Sequence, residues 1–181
     1  MRQRHAAVVW HLAVIAAVAG CATSNVATLP SVPEPLRVPA TQILIQQVHA
    51  TGVQIYECTA SKDNPLRLEW TFKAPEAELR DRANRIFGRH YAGPTWEASD
   101  GSSVVGEVAA RDAGPDPNAI PWLLLRATST SGRGVLSETK SILRIGTSGG
   151  KAPADGCNEA LIGKELRVPY QAEYYFYAAR P

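Results

Sequence analysis

The stretch Thr41-Gln-Ile-Leu-Ile-Gln-Gln-Val-His-Ala-Thr-Gly-Val-Gln-Ile-Tyr-Glu-Cys58 decides the fold class, because its side chains alternate along an extended chain. Residues 43, 45 and 47 share one face of such a chain, residues 44, 46 and 48 share the other, and the alternation resumes after residue 52. The triplet Ala50-Thr51-Gly52 in the middle is typical of a turn. The stretch therefore predicts a β-hairpin.

The rest of the sequence predicts further strands over residues 67–73, 104–108, 121–127, 138–147 and 171–177. Residues 121–127 are a nearly continuous apolar run, which is typical of a strand buried on both faces. Residues 171–177 carry aromatic side chains that would point to both faces, which favours a central strand.

The segment from Glu76 to Arg89 has two interpretations. Its apolar residues partly follow a helical spacing, but Arg82-Ala83-Asn84-Arg85 also fits a turn, because Asn tolerates the left-handed backbone region. We favour a hairpin, because turn signals recur along the chain and no segment shows a clean helical pattern of about twelve residues. Residues 41–181 are therefore predicted to be a single all-β domain, either a β-sandwich or a β-barrel.

The first 20 residues have the pattern of an export signal. A short basic segment precedes an almost wholly apolar run, residues 6–19, which is short for a bilayer span and has the length of a signal-peptide core. Val18-Ala19-Gly20-Cys21 resembles the lipobox of bacterial lipoproteins, and this resemblance implies cleavage before Cys21 and acylation of its new N-terminus. We therefore expect residues 1–20 to be a lipoprotein signal peptide. A plain secretory signal cut slightly further along is the alternative.

The lipid would also place the protein. Several acyl chains on Cys21 would anchor it stably to a membrane, and no other cofactor is expected. Position 22 is Ala and not Asp, which by analogy with sorting in enterobacteria predicts the outer membrane, facing the periplasm or the cell surface. Residues 21–40 carry four prolines and are predicted to be a Pro-rich tether between the membrane and the domain of residues 41–181.

The charge balance argues against nucleic acid as a partner. Of the 19 Lys and Arg residues, Arg2 and Arg4 lie in the segment expected to be removed, which leaves 17 against 17 Asp and Glu. A neutral mature chain has no basic excess with which to neutralise phosphates. The composition, 45% apolar and 20% charged, is that of an ordinary globular domain.

The chain has three cysteines. If Cys21 carries lipid, Cys58 and Cys157 remain as a pair in an oxidising compartment, where a disulfide is expected. Two free thiols are the alternative. A zinc site is not predicted, because the sequence has no CxxC motif and only His49 and His90 remain in the mature chain.

The densest group of polar and aromatic residues lies between His90 and Ser103. We take five of them as candidate binding residues: His90, Tyr91, Trp96, Glu97 and Asp100. No catalytic or metal-binding residue is assigned. The simpler interpretation of the same stretch is a turn-rich loop in which Asp100 caps the turn, His90 satisfies a backbone carbonyl and Trp96 fills the core.

A catalytic interpretation of the stretch is weaker. His90 would be the general base, Asp100 would orient it, and Ser102 or Ser103 would be the nucleophile. Neither Ser102 nor Ser103 lies in a GxSxG or an SxxK motif. Glu97 and Asp100 are also a poor glycosidase pair, because nothing in the sequence fixes their separation.

Other residue groups are better explained by structure than by function. Trp70 and Trp122 are expected in the core, whereas Trp96 follows Gly93-Pro94 and its exposure is left open. The four arginines between residues 80 and 89 are interspersed with acidic residues, so a solvated hairpin is expected there.

Several blocks of the sequence carry a family resemblance. They are Gly52–Cys58, Trp70–Phe72 with Ala74–Ala77, His90–Glu97 with Asp100–Ser102, Ile120–Leu125, Thr147–Gly150 with Ala152–Pro153 and Cys157, and Val168–Tyr170 with Tyr174–Tyr177. In this order they resemble the bacterial and fungal domain-of-unknown-function family 3455, over residues from about 36 to 178. The resemblance implies an extracytoplasmic single domain without an assigned molecular function. Some fungal members carry a malate dehydrogenase label, but this chain has no GxGxxG fingerprint, and Asn84 stands where the family usually has Gly.

Three functions follow in order of preference. The first is a cell-envelope lipoprotein whose non-catalytic β domain binds a small molecule, a glycan or a partner protein. The second is a purely structural envelope lipoprotein. The third is a hydrolase that uses His90, which requires a carboxylate on one side of the ring and an open cleft on the other.

Overall fold

The structure is a computed structural model that describes residues 30–181. These residues form eight β-strands: β1 (Gln42–Ala60), β2 (Leu68–Asp81), β3 (Ile86–Tyr91), β4 (Thr95–Ala98), β5 (Ser103–Asp112), β6 (Trp122–Ser131), β7 (Thr139–Gly149) and β8 (Glu165–Ala179). Two short 3₁₀ helices, Glu34–Leu36 and Glu159–Leu161, complete the regular structure. The predicted signal peptide and Cys21 lie outside the described residues.

Each strand pairs antiparallel with the next one along the chain, and β8 pairs with β1, so the sheet closes into a barrel. The closing register runs from Gln42 opposite Ala179 to Glu57 opposite Glu165. The all-β prediction is therefore confirmed, and of its two forms the structure has the barrel. Closure depends on pairing the two ends of the domain, which local sequence patterns do not specify.

The hairpin predicted around Gly52 is wrong, because β1 runs through this residue without a turn. Gly52 lies opposite Ala77 of β2. A Cβ at this position would lie 2.1 Å from the carbonyl oxygen of Glu76 and 2.5 Å from the Cα of Ala77. The glycine therefore permits a close approach between two strands and does not reverse the chain.

The hairpin predicted between Glu76 and Arg89 is confirmed. Strands β2 and β3 are joined by a tight turn in which Asn84 adopts a left-handed conformation with φ 60°. The Asp81 carboxylate accepts hydrogen bonds from the backbone N–H groups of Ala83 and Arg85, each at 2.9 Å, which fixes the turn. Three of the four arginines of this hairpin, Arg80, Arg85 and Arg89, form ion pairs on the surface.

The first part of β6, residues 122–125, and the last part of β8, residues 174–178, are covered on both faces, as their sequences predict. Tyr174 and Phe176 of β8 point into the barrel, where they join a core that includes Leu125 of β6. Tyr175 and Tyr177 point outward and pack in a second apolar cluster. The period of two along an extended chain places consecutive aromatic residues on opposite faces.

The second cluster lies on the outer face of β5 to β8, where the segment before β1 covers it and the first 3₁₀ helix contacts β5 and β6. Leu36 is 0% exposed and packs with Leu143, Ile145, Tyr175 and Tyr177. The domain therefore begins near Val32, before residue 41, and the last part of the predicted tether belongs to the packed structure.

The predicted disulfide between Cys58 and Cys157 is confirmed. Cys58 lies in β1 and Cys157 lies just before the second 3₁₀ helix, with their Cα atoms 5.4 Å apart, in the usual range for a disulfide. The bond ties the loop before β8 to the barrel wall and encloses a loop with a sequence separation of 99 residues.

Candidate functional site

A cavity of about 320 Å³ lies inside the barrel. All eight strands contribute side chains to its wall. The apolar part of the wall is formed mainly by Phe72, Pro75, Val108, Ile120, Leu123 and Leu125, and the polar part by Gln54, Tyr56, His90, Trp96, Arg111, Arg144 and Tyr174. Phe72 and Val108 are 52% and 42% exposed, so they mark the mouth of the cavity.

His90 and Trp96 form the β3–β4 part of this wall. They are direct neighbours in the antiparallel register, so both side chains point into the barrel. Their rings are stacked with centroids 4.3 Å apart and planes 9° apart, and Tyr174 contacts both rings edge-on. Trp96 is 1% exposed and lies within a short strand, so its side chain is part of the core and of the cavity wall.

The environment of His90 keeps its imidazole neutral. The ring is 3% exposed, and Nδ1 lies 2.8 Å from the carbonyl oxygen of Thr95, which assigns the ring proton to Nδ1. Burial lowers the pKa of His90 to about 3, against the opposing effect of the Thr95 hydrogen bond, and the positive charge of Arg144 lowers it further. Nε2, the other nitrogen, has no hydrogen-bond partner among residues 30–181.

Asp100 does not orient His90, so the predicted pair of these residues is not formed. One oxygen of the Asp100 carboxylate accepts hydrogen bonds from the backbone N–H and the hydroxyl of Ser102, at 2.9 and 2.6 Å. The other accepts from the N–H of Val135 at 2.9 Å. These bonds hold the pKa of Asp100 below its usual range.

The hydroxyl of Ser102 is also used within the loop. It accepts from the N–H of Leu136 at 3.1 Å while it donates to Asp100, and Ser102 is 0% exposed. Asp100 and Ser102 therefore fasten the β6–β7 connection to the turn after β4. Neither residue lines the cavity.

Tyr91 and Glu97 alternate with His90 and Trp96 along their strands and point away from the cavity. The Tyr91 hydroxyl donates to Glu97 at 2.8 Å, and Arg89 donates to both carboxylate oxygens of Glu97 at 3.0 and 3.1 Å. The two sets of bonds hold the pKa of Glu97 below its usual range. The five predicted binding residues are thus divided between the cavity, the outer wall and a loop.

Five polar residues of the cavity wall were not among the predicted binding residues: Gln54, Tyr56, Arg111, Arg144 and Tyr174. Gln54 is 2% exposed and shares the inward face of β1 with Tyr56 and Cys58. Arg144 lies opposite Leu123 on one side and Tyr174 on the other, which places it on the inward face of β7. A polar side chain on an otherwise apolar face was the available signal, but the register of the barrel was needed to interpret it.

Two polar atoms of the wall residues, Nε2 of Gln54 and Nε1 of Trp96, are covered by protein and have no hydrogen-bond partner within the described residues. A buried donor or acceptor left without a partner costs about 1–3 kcal/mol, and native proteins keep few of them. Nε2 of His90 and Nη1 of Arg144 also have no partner there, but they are not among the covered atoms. The cavity therefore combines apolar walls with a few polar groups, as small-molecule sites do.

Residues 30–181 contain no group of three or more His, Cys, Asp or Glu side chains placed to hold a metal ion. In the same residues, no helix has the length and hydropathy needed to cross a bilayer.

Comparison with known proteins gives the family but no activity. Neither the curated proteins nor the solved structures gave a significant match. One family model, described as a protein of unknown function, DUF3455, matches residues 39–178, which are the barrel from just before β1 to the end of β8. The chain therefore belongs to the DUF3455 family.

Proposed function

We propose that this protein binds a small, mainly apolar molecule inside its barrel. The observation that supports the proposal is the cavity, whose apolar wall also carries His90 and Arg144 with an unpartnered nitrogen each. Its volume of about 320 Å³ is within the range of small-molecule sites. A bound molecule would cover the apolar wall and form hydrogen bonds with these two nitrogens.

The state of His90 supports binding in preference to hydrolysis. A general base works best when its pKa lies near the working pH, and a pKa of about 3 makes His90 a weak base. Its Nδ1 is held by a backbone carbonyl and not by a carboxylate. We therefore assign His90 to the wall of the binding site, where Nε2 would accept a hydrogen bond.

We also propose that the barrel is held at a membrane, in the cell envelope, by lipid on Cys21. The support is the Val18–Cys21 motif together with the disulfide, because disulfides persist in oxidising compartments outside the cytoplasm. The proposed location is the outer membrane. In this arrangement the membrane is a partner through the anchor, and the cavity serves a molecule present in the envelope.

The binding proposal is tested with N-phenyl-1-naphthylamine, a neutral apolar dye whose fluorescence rises in apolar surroundings. We expect saturable binding of one dye to the purified full-length protein. The indole N–H resonance of Trp96, assigned with Trp96→Phe, should shift on binding, because Trp96 lines the cavity. The resonance of Trp70 should not, because Trp70 does not line the cavity and its N–H is bonded to the carbonyl of Asp155 at 3.2 Å.

A matched pair of variants locates the dye. Val108→Trp places a large side chain at the mouth and should weaken binding, whereas Ala109→Trp, at an exposed neighbouring position that does not line the cavity, should not. Unsaturable binding, or equal binding by both variants, would refute the proposal.

A further inference from the structure

Arg144 is a cation inside the barrel without an anionic partner. It lies on the inward face of β7, is half-buried, and lines the cavity together with Tyr174. Its Nε and Nη2 donate to the carbonyl oxygen of Pro121 at 3.2 and 2.9 Å. Its guanidinium forms no salt bridge with any carboxylate in residues 30–181, and its Nη1 makes no hydrogen bond with a side chain or carbonyl there. An arginine is always charged, so the charge is not removed by deprotonation.

The rest of the cavity wall adds positive charge and no negative charge. The wall has no Asp or Glu, and its second charged residue is Arg111, which is exposed toward solvent. Arg111 likewise has no salt bridge within the described residues. His90 is the remaining basic group of the wall and is neutral. Most other arginines of the barrel surface are paired, for example Arg89 with Glu97 and Arg167 with Glu76.

An unpaired cation in an apolar cavity is a costly arrangement that an anion would relieve. Partly removing a guanidinium from water costs free energy unless a counter-charge or hydrogen bonds replace the lost hydration. The fork of N–H donors on arginine matches the two oxygens of a carboxylate.

We propose that the ligand is an organic acid, with an apolar body that fills the barrel and a carboxylate that binds Arg144. Arg111 at the mouth attracts the anion as it enters. This inference rests on the proposed binding function and adds the chemical class of the ligand. The apolar body contacts Leu123, Leu125 and the stacked His90 and Trp96 rings.

The test uses the bound dye as a reporter and displaces it with octanoate or octan-1-ol. These two compounds have chains of the same length, but the alcohol is the more hydrophobic, so an apolar cavity alone would prefer it. We expect octanoate to displace the dye from the full-length protein at a concentration about tenfold lower than octan-1-ol, because a charge-assisted pair replaces a neutral contact. Arg144→Gln should remove this preference, with each displacement measured against the affinity of this variant for the dye. Arg144→Lys should retain part of it.

Arg126→Gln is the matched control. Arg126 lies in β6, next to β7, where it is exposed and paired with Glu107 of β5, and it does not line the cavity. This variant should keep the full preference for octanoate. If the dye does not bind, the proposed function fails. If the dye binds but octanoate is no better than octan-1-ol, or if Arg144→Gln keeps the preference, the inference fails while the binding function stands. Dye binding by Arg144→Gln also shows that the variant is folded.

Discussion

Acidification should destabilise this protein through His90 at a pH where its carboxylates are still charged. In the folded protein the pKa of His90 is lowered to about 3, so its ring stays neutral down to about that pH, whereas a free histidine has a pKa of 6.5. Between these values the unfolded chain takes up a proton that the folded protein does not. Stability is therefore unaffected above about pH 6.5 and is lost as the pH falls toward about 3.

The size of the effect follows from the two pKa values. Between about pH 7 and about pH 5, one histidine that stays neutral in the folded protein lowers the free energy of unfolding by about 2 kcal/mol. Asp81, Glu97 and Asp100 do not contribute in this window, because their pKa values lie below the usual range and they titrate at lower pH.

The assay is urea unfolding at several pH values, for the natural protein and for His90→Gln. Glutamine keeps a donor for the Thr95 carbonyl but does not titrate. Whatever its own stability, the variant should therefore show a pH slope that is smaller by about 2 kcal/mol across this window. Equal slopes would refute the reasoning, because they would mean that His90 takes up its proton in the folded barrel and that water reaches it freely.

Three further predictions concern the disulfide, the packing of the segment before β1, and the lipid on Cys21. Replacing Cys58 and Cys157 together by Ser should lower the free energy of unfolding by about 4–5 kcal/mol, for a loop of this separation, measured by urea unfolding; a loss under about 1 kcal/mol would show that the bond adds little. Leu36→Ala should cost about 2–4 kcal/mol in the same assay, because Leu36 is fully buried; an unchanged midpoint would show that the segment before β1 is not part of the folding unit. Cys21→Ser should remove the mass of the acyl chains from the purified protein; an intact mass already free of lipid in the natural chain would contradict the anchor.

The sequence predicted those features of the fold that depend on neighbouring residues. The turn at Asn84 was predictable because asparagine tolerates positive φ, and its φ is 60°. The two-sided burial of β6 and β8 was predictable because consecutive apolar residues on an extended chain point to opposite faces. The disulfide followed from counting cysteines.

The features that depend on distant residues were not predictable in this way. Gly52 has the same local pattern whether it turns the chain or lets Ala77 approach closely, and only the pairing of β1 with β2 decides between them. Trp96 follows Gly93-Pro94, which favoured a loop, yet it lies in β4 and faces the barrel interior. The strand containing Arg144 was predicted, but which of its faces points inward is set by pairing with β6 and β8.

Closure of the sheet limits how this protein can recognise other chains. Where two neighbouring strands pair along their whole length, the barrel presents no free row of backbone donors and acceptors to a partner. The short strands β3 and β4 leave two exceptions, because β2 pairs with β3 only over residues 77–80 and β5 pairs with β4 only over residues 103–105. Residues 68–76 of β2 and 107–112 of β5 therefore have no ladder partner on that side within the described residues. Recognition by strand addition, in which an extended peptide lengthens a sheet, has its template at these two segments, and they carry Phe72 and Val108 at the mouth of the cavity.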